Sequence, residues 1–200
     1  MRYLIVCGGK IDKEFGLNEI KTDGIDAIIA ADSGMDFLYE NGVTPDIIVG
    51  DFDSTTTNAL EYFERKGQTE IRRLNPIKDD TDTEYAIRLA ISEGARSIVL
   101  LGATGSRIDH VLGNISLLGI GLESGTDISI IDTNNRIRMA DKPVTIEKSA
   151  QYGRFVSLIA LTDDNEVSLK GFKYPVTDYS FDRFTSVSYT HLTLPTTERV

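Results

Sequence analysis

Over the first 125 residues, apolar runs of strand length alternate with segments of helical period, and this alternation is the strongest constraint on the fold. The strand-like runs are Tyr3–Cys7, Ile25–Ala31, Ile47–Gly50, Ile71–Pro76 and Ser97–Leu101. Between them, Met35–Asn41, Asn58–Lys66 and Asp82–Glu93 carry apolar residues at helical spacing. Each stops at a glycine suited to a left-handed cap: Gly42, Gly67 and Gly94. A last helix over Ile108–Leu118 is predicted to break in Gly119-Ile120-Gly121. Strands alternating with helices imply parallel βαβ units, so an α/β domain with a mostly parallel sheet is expected over residues 1–125.

After Thr126 the pattern changes. Asp127–Asp132, Arg136–Met139, Val144–Glu147, Phe155–Leu161 and Glu166–Lys170 are short strand-like runs separated by turn signals such as Thr133-Asn134-Asn135. They predict a smaller all-β sandwich domain, incomplete, over residues 127–185. The tail, residues 186–200, reads SVSYTHLTLPTTERV and looks atypical. Its apolar alternation slips by one between Tyr189 and Leu192, and Pro195 removes a ladder donor, so it is expected to pack loosely.

The formal net charge of −10 and a pI near 4.7 argue against non-specific binding to nucleic acid or to anionic membranes, which favour a basic surface. They leave a phosphate substrate open, because a bound Mg²⁺ inverts the local sign. The N-terminus MRYLIVCGGK turns polar too soon for a signal peptide, and no apolar run approaches membrane-spanning length. A soluble, cytoplasmic protein is expected. Cys7, the single cysteine, cannot form a disulfide within the chain and is expected as a buried thiol.

Acidic residues follow four of the strand-like runs: Asp32-Ser33-Gly34, Asp51-Phe52-Asp53-Ser54, Lys78-Asp79-Asp80-Thr81-Asp82, and Gly102–His110 with its Asp109. In an open α/β sheet, ligands bind beyond the carboxyl ends of the strands. Carboxylates gathered there repel one another unless a cation sits among them, so hard oxygen ligands beside Lys78 and Arg107 suggest Mg²⁺ holding a nucleotide polyphosphate. Each group also has a plainer reading. Asp53 or Ser54 suits a helix cap in a solvated loop. Asp79 suits an N-cap, and acidic side chains in a first helical turn are stabilising by ~0.3–1 kcal/mol each for dipole reasons alone. Three carboxylates within four residues, with the Thr81 hydroxyl among them, exceed what capping needs. Asp46, after Pro45, reads as structural.

The segment Gly102–Asn114, GATGSRIDHVLGN, is the most telling. Small residues such as Thr104 free backbone N–H groups at a helix start, a ready anion site, and Arg107 adds a fixed charge suited to phosphate. His110 fits an ordinary polar helix position, and Asn114 lies one turn on, on the same face. Gly8-Gly9-Lys10 lacks the spacing of a P-loop and reads as a turn with a possible phosphate contact.

Together these motifs resemble the thiamin pyrophosphokinase family. The residues that carry the resemblance are DSG at 32–34, PDIIVGDFDS at 45–54, KDDTDTEYA at 78–86 and LGATGSRIDHVLGN at 101–114, and it covers roughly residues 1–180. The resemblance implies an α/β domain that binds Mg·ATP, a β-sandwich that contributes to a thiamin pocket, and a homodimer. It implies attack by the thiamin hydroxyl on the β-phosphorus of ATP, with release of AMP. Asp51, Asp53, Asp79 and Asp82 resemble the Mg²⁺-site carboxylates, and Asp32 the carboxylate on the nucleotide or catalytic side. Ser33, Lys78, Thr81, Thr104, Arg107, Asp109, His110 and Asn114 fall in the ligand-binding motifs, with Arg107 and Asp109 as the phosphate-side pair. Phe181–Ser186 gives way to a tail that matches neither the family's thiamin-contacting stretch nor its closing strand. A second reading uses Asp51-Phe52-Asp53-Ser54-Thr55 as the D-x-D-x-T nucleophile of a haloacid-dehalogenase-like phosphatase, although that nucleophile belongs on a first strand. A third is a nucleotide-binding module without turnover.

Overall fold

In the computed structural model, residues 1–52, 58–75, 80–105 and 107–190 are described. The chain divides into two compact units, Met1–Pro143 and Val144–Val200.

The first unit is built on a seven-stranded sheet in the order β4-β3-β2-β1-β5-β6-β7. Its strands are β1 (Arg2–Val6), β2 (Ala27–Ala31), β3 (Ile47–Gly50), β4 (Glu70–Arg73), β5 (Ser97–Leu101), β6 (Asp127–Ile131) and β7 (Arg136–Arg138). All neighbours pair in parallel except β7, which returns antiparallel along β6. The strands are apolar throughout because the sheet is covered on both faces. Tyr3 and Ile5 of β1 and Cys7 just after it join Ile29, Ala31, Val49, Ile98 and Leu100 in one core, while Leu4 and Val6 join Ala30, Ile48, Val99 and Leu101 in the other. The period of two along each strand makes this division.

Among the described residues, six α-helices supply the covering layers: α1 (Lys13–Ile20), α2 (Gly34–Glu40), α3 (Ala59–Lys66), α4 (Asp82–Ser92), α5 (Ile108–Leu117) and α6 (Gly119–Ser124). Met35 and Leu38 of α2 and Phe63 of α3 fill the second core, and Ala86, Ile87, Leu89 and Ala90 of α4 fill the first. Phe63 is fully buried, a burial worth about 1.5–3 kcal/mol. Local chemistry sets the ends. Asp12 caps α1 by accepting from Phe15 N at 2.9 Å, and α3 ends at Gly67 with φ 62°. The helix expected over Ile108–Leu118 does end there, at Leu117, but it is not the last one. A second helix, α6, starts at Gly119 directly after α5 and ends at Gly125 with φ 73°. Gly121 serves packing there, since a Cβ would stand 2.5 Å from Thr126 O.

The expected domain boundary near residue 126 is corrected. β6 runs parallel to β5 from Ser97 opposite Asp127 to Leu101 opposite Ile131, and the unit ends only at Pro143. The change to short strands after Thr126 is real, but the first two complete the sheet rather than found a new one. Ile128, Ile130 and Ile131 are buried in the two cores, which explains the apolar run that had been assigned elsewhere.

The second unit is all-β, as expected. It contains β8 (Phe155–Ile159), β9 (Asn165–Leu169), β10 (Val176–Phe181) and β11 (Ser186–Thr190), in two antiparallel pairs, β9 with β10 and β8 with β11. Val144–Glu147, expected as a strand, is not one; a 3-10 turn follows at Lys148–Ala150. The tail expectation is also corrected in part. Ser186–Thr190 pairs continuously with β8, Ser186 opposite Ile159 and Thr190 opposite Phe155. The slip in alternation lies beyond Thr190, so it does not disturb these five positions. Residues 191–200 lie outside the described residues.

Candidate functional site

The site forms at the carboxyl edge of the sheet, where the strand order departs from the chain order. From β1 the chain steps outward through β2, β3 and β4, and then must return to place β5 on the other side of β1. α4 makes that return, lying against β1, β2 and β3. Its first turn is thereby carried from the sheet edge to the ends of β2 and β3. Such a switch point is where open α/β sheets bind ligands.

Three half-buried carboxylates meet there. Asp32 follows β2, Asp51 follows β3, and Asp82 opens α4; each offers an oxygen within 4.8 Å of the others'. Oδ1 of Asp32 is buried. Three hard oxygen donors at that spacing fit a hard divalent cation such as Mg²⁺. The backbone holds two of the bearing segments in an unusual conformation. Asp32 has φ 48° and Phe52, next to Asp51, has φ 64°, values uncommon for residues other than glycine. Asp32 is fixed by its own N–H, which donates to Val49 O at 2.8 Å, and by its carbonyl, which accepts from Met35 N at 3.2 Å.

Tight backbone approach positions the turns around this cluster. Ser33 begins α2 without a side-chain capping bond, and its Oγ occupies the space that a side chain on Gly8 would need. Gly9 N donates to Gly102 O at 2.9 Å, so the first glycine turn is tied to the loop after β5 and its N–H is already engaged. Gly102 has φ 74°, and a Cβ there would stand 2.5 Å from Cys7 O.

The α4 cap is Thr81, not Asp79. Its Oγ1 accepts from Glu84 N at 3.1 Å, which leaves Asp82 in the first turn. Behind this turn the Thr83 hydroxyl donates to Cys7 Sγ at 3.7 Å. Cys7 is buried as expected, and burial pushes its thiol up to about 11, against a smaller lowering by Thr83.

The segment after β5 is arranged differently. Arg107 precedes α5 and forms a two-pronged pair with Asp109, at 3.1 and 2.5 Å, on the exposed surface. The guanidinium holds the Asp109 carboxyl below the usual range. His110 is exposed, and its N–H donates to Asp109 Oδ1 at 3.0 Å. Asn114 does not share a task with His110: its amide donates to Ala103 O at 2.8 Å and braces the loop. Thr104 donates through Oγ1 to Asp132 Oδ2 at 2.8 Å. Asp132 was not singled out from the sequence, where it reads as the last residue of the strand-like run Asp127–Asp132 before the turn Thr133-Asn134-Asn135. Asp46 is structural as expected, accepting Ile28 N at 2.8 Å. Asp53, Lys78 and Asp79 lie outside the described residues.

With this geometry in place, comparison with known proteins is decisive. Residues 21–130 match the family described as thiamin pyrophosphokinase, catalytic domain, and residues 143–189 match thiamin pyrophosphokinase, vitamin B1 binding domain. The chain belongs to the thiamin pyrophosphokinase family. It is 36% identical over 150 residues to thiamine pyrophosphokinase of Bacillus subtilis strain 168, an overlap of 74% of this chain and 69% of that protein. The solved structure of the Bacillus subtilis thiamine pyrophosphokinase superposes with a TM-score of 0.76 at 30% identity, over 95% of this chain and 85% of that one. The Geobacillus thermodenitrificans thiamin pyrophosphokinase gives 0.80 at 28% identity, over 96% and 89%. The second match reaches residue 189, so the family's sequence continues through most of β11, further than the motifs alone suggested. The phosphatase reading gains nothing from this: Asp51 follows the third strand in chain order, not the first.

Proposed function

We propose that this chain transfers the diphosphate group of ATP to the hydroxyl of thiamin, giving thiamin diphosphate and AMP. The observation that carries the reading is the meeting of Asp32, Asp51 and Asp82, drawn from three separate segments of a thiamin pyrophosphokinase family chain. These carboxylates would hold Mg²⁺, with Asp53 and Asp79 in the same sequence motifs. When bound, Mg²⁺ neutralises and orients the polyphosphate. The chain's own residues do the rest. The thiamin oxygen bonds to the β-phosphorus, the bond from that phosphorus to the bridging oxygen of the α-phosphate breaks, and AMP leaves with the electron pair. A site carboxylate, Asp32 being the candidate, takes the hydroxyl proton. Arg107 and Lys78 offset the charge that develops on the transferring phosphoryl oxygens.

The second unit, matched as a vitamin B1 binding domain, would bind thiamin. A homodimer belongs to the same reading. Its support is α5, a helix with no buried residue, whose Ile108 and Leu112 are 76% and 60% exposed. A cytoplasmic setting accords with a composition that holds one cysteine. Among the described residues, no helix is long and apolar enough to cross a membrane. The test is product analysis of the full chain with Mg·ATP, with and without thiamin. Thiamin-dependent AMP supports the reading; inorganic phosphate, or AMP formed regardless of thiamin, overturns it.

A further inference from the structure

At the end of β6, Asp132 gathers donors from two neighbouring segments. Oδ1 accepts from Asn134 N and Asn135 N, each at 2.7 Å, and from Asn135 Nδ2 at 3.0 Å. Oδ2 accepts from Thr104 Oγ1 at 2.8 Å and from Asn135 Nδ2 at 3.1 Å. Asp132 N in turn donates to Asn135 O at 2.9 Å. One carboxylate therefore joins the β6–β7 turn to the loop that leads from β5 into α5. That loop is also held by Gly9 N, which donates to Gly102 O at 2.9 Å. Gly102 and Gly105 have φ 74° and 86°, backbone that only glycine adopts freely, and Ala103 O receives the Asn114 amide. Burial acts to raise the Asp132 carboxyl, but the bonds from Asn135, Asn134 and Thr104 outweigh it and leave it lowered. The group is thus a carboxylate at neutral pH, an acceptor only, and the Thr104 hydroxyl proton is committed to it.

We infer that Asp132 is a positioning residue for nucleotide turnover: through the Thr104 hydroxyl it fixes the Gly102–Gly105 loop, and with it the start of α5 that carries Arg107. The inference rests on the proposed ATP reaction for its kinetic readout, and on backbone exchange for a readout independent of it. Partners one layer behind a ligand shell cost about 10–100-fold when removed, because the groups in front lose their aim.

The test uses the full chain and four variants, Asp132→Ala, Thr104→Val, Thr104→Ser and the double variant Asp132→Ala/Thr104→Val. The expected result is a loss of about tenfold in kcat/KM for ATP in Asp132→Ala and in Thr104→Val, with KM for thiamin little changed. The double variant should be no worse than either single, because one bond is being removed twice. Thr104→Ser, which keeps the donor, should recover most of the loss seen in Thr104→Val. Amide exchange at Ala103–Gly105 should rise in Asp132→Ala at a temperature where the protein remains folded by circular dichroism. Additive losses, or unchanged loop exchange, overturn the inference. Wild-type protein that shows no thiamin-dependent AMP release counts against the proposed function alone; the exchange measurement then decides the role of Asp132 by itself.

Discussion

Gly34 lies directly against the carbonyl of Val6: a Cβ built on it would overlap Val6 O and crowd the carbonyl carbons of Val6 and Cys7. The α2 start is thereby pressed onto the end of β1, which sets where the preceding Asp32 stands. Gly34→Ala should therefore destabilise by about 1–3 kcal/mol, the usual range for overpacking against a backbone that cannot yield. Urea unfolding measures it. Gly42→Ala is the comparison, since a Cβ there meets nothing within 4 Å and only its φ of 68° resists; a larger loss at Gly42 than at Gly34 would refute the steric account.

Removing charge from the carboxylate cluster tests the cation. Asp51→Asn and Asp82→Asn should each weaken Mg²⁺-dependent ATP binding by more than the about 10–100-fold that outer-shell changes cost. Calorimetry with and without Mg²⁺ reads this directly, and circular dichroism should show an intact fold. Equal Mg²⁺-dependent affinity in both variants would remove these residues from the metal site.

Arg107→Lys separates a phosphate ligand from a surface arginine. Its guanidinium is exposed and paired with neighbouring Asp109, so the swap should leave thermal stability almost unchanged. If the planar fork faces phosphate, turnover should still fall, because lysine keeps the charge but not the geometry. Unchanged kcat/KM for ATP would favour the surface role.

The buried Cys7 gives a pH prediction with a definite sign. Its thiol is raised from the ordinary 9.0 to about 11, so the folded state holds its proton more tightly than the unfolded state. The stabilisation is complete below pH 9, and it is lost as pH rises from 9 through about 11. The loss is on the order of 2–3 kcal/mol. Comparing urea midpoints of wild type and Cys7→Ala across that range isolates it: the wild type should lose more stability than the variant as pH rises. Parallel curves would contradict the assignment.

Deleting residues 186–200 should cost stability in the second unit. β11 is the ladder partner of β8 among the described residues, over five paired positions. Amide exchange across Phe155–Ile159 should rise sharply in the truncated chain. Unchanged protection there would restore the reading of the whole tail as an appendage.

Much of this was legible in the sequence because one rule acts at each place. The unbroken apolar runs in Tyr3–Cys7 and in Ser97–Leu101 report a sheet buried on both faces, and Gly67 reports a left-handed helix end. Asp32, Asp51 and Asp82 each stand out because acidic motifs follow the strand-like runs, but the resemblance sets Asp32 on the nucleotide or catalytic side and Asp51 and Asp82 at the metal; only the fold brings all three together. What stayed illegible depends on partners distant in sequence. Ile128 and Ile130 look alike whether they pack under an old sheet or begin a new one; only pairing with β5 decides. From the sequence Asp79 reads as the cap and Thr81 only as a nearby hydroxyl, because which residue caps depends on where the turn starts, and that is set by the packing of α4. Asp132 reads as the unremarked end of a strand-like run until Thr104, 28 residues earlier, is brought beside it.

The ends of the large sheet carry a consequence for self-association. Both outermost strands are brief, β4 with four residues and β7 with three. Their sequences, EIRR and RIR, are mostly charged, and Arg73 and Arg138 are engaged with Glu64 and Asp127. Strands of that kind are poor templates for the addition of another chain. Two copies of this protein are thus discouraged from stitching their sheets into one continuous ribbon, so the proposed pairing through a side-chain surface such as the exposed flank of α5 would be limited in stoichiometry by shape rather than open to propagation.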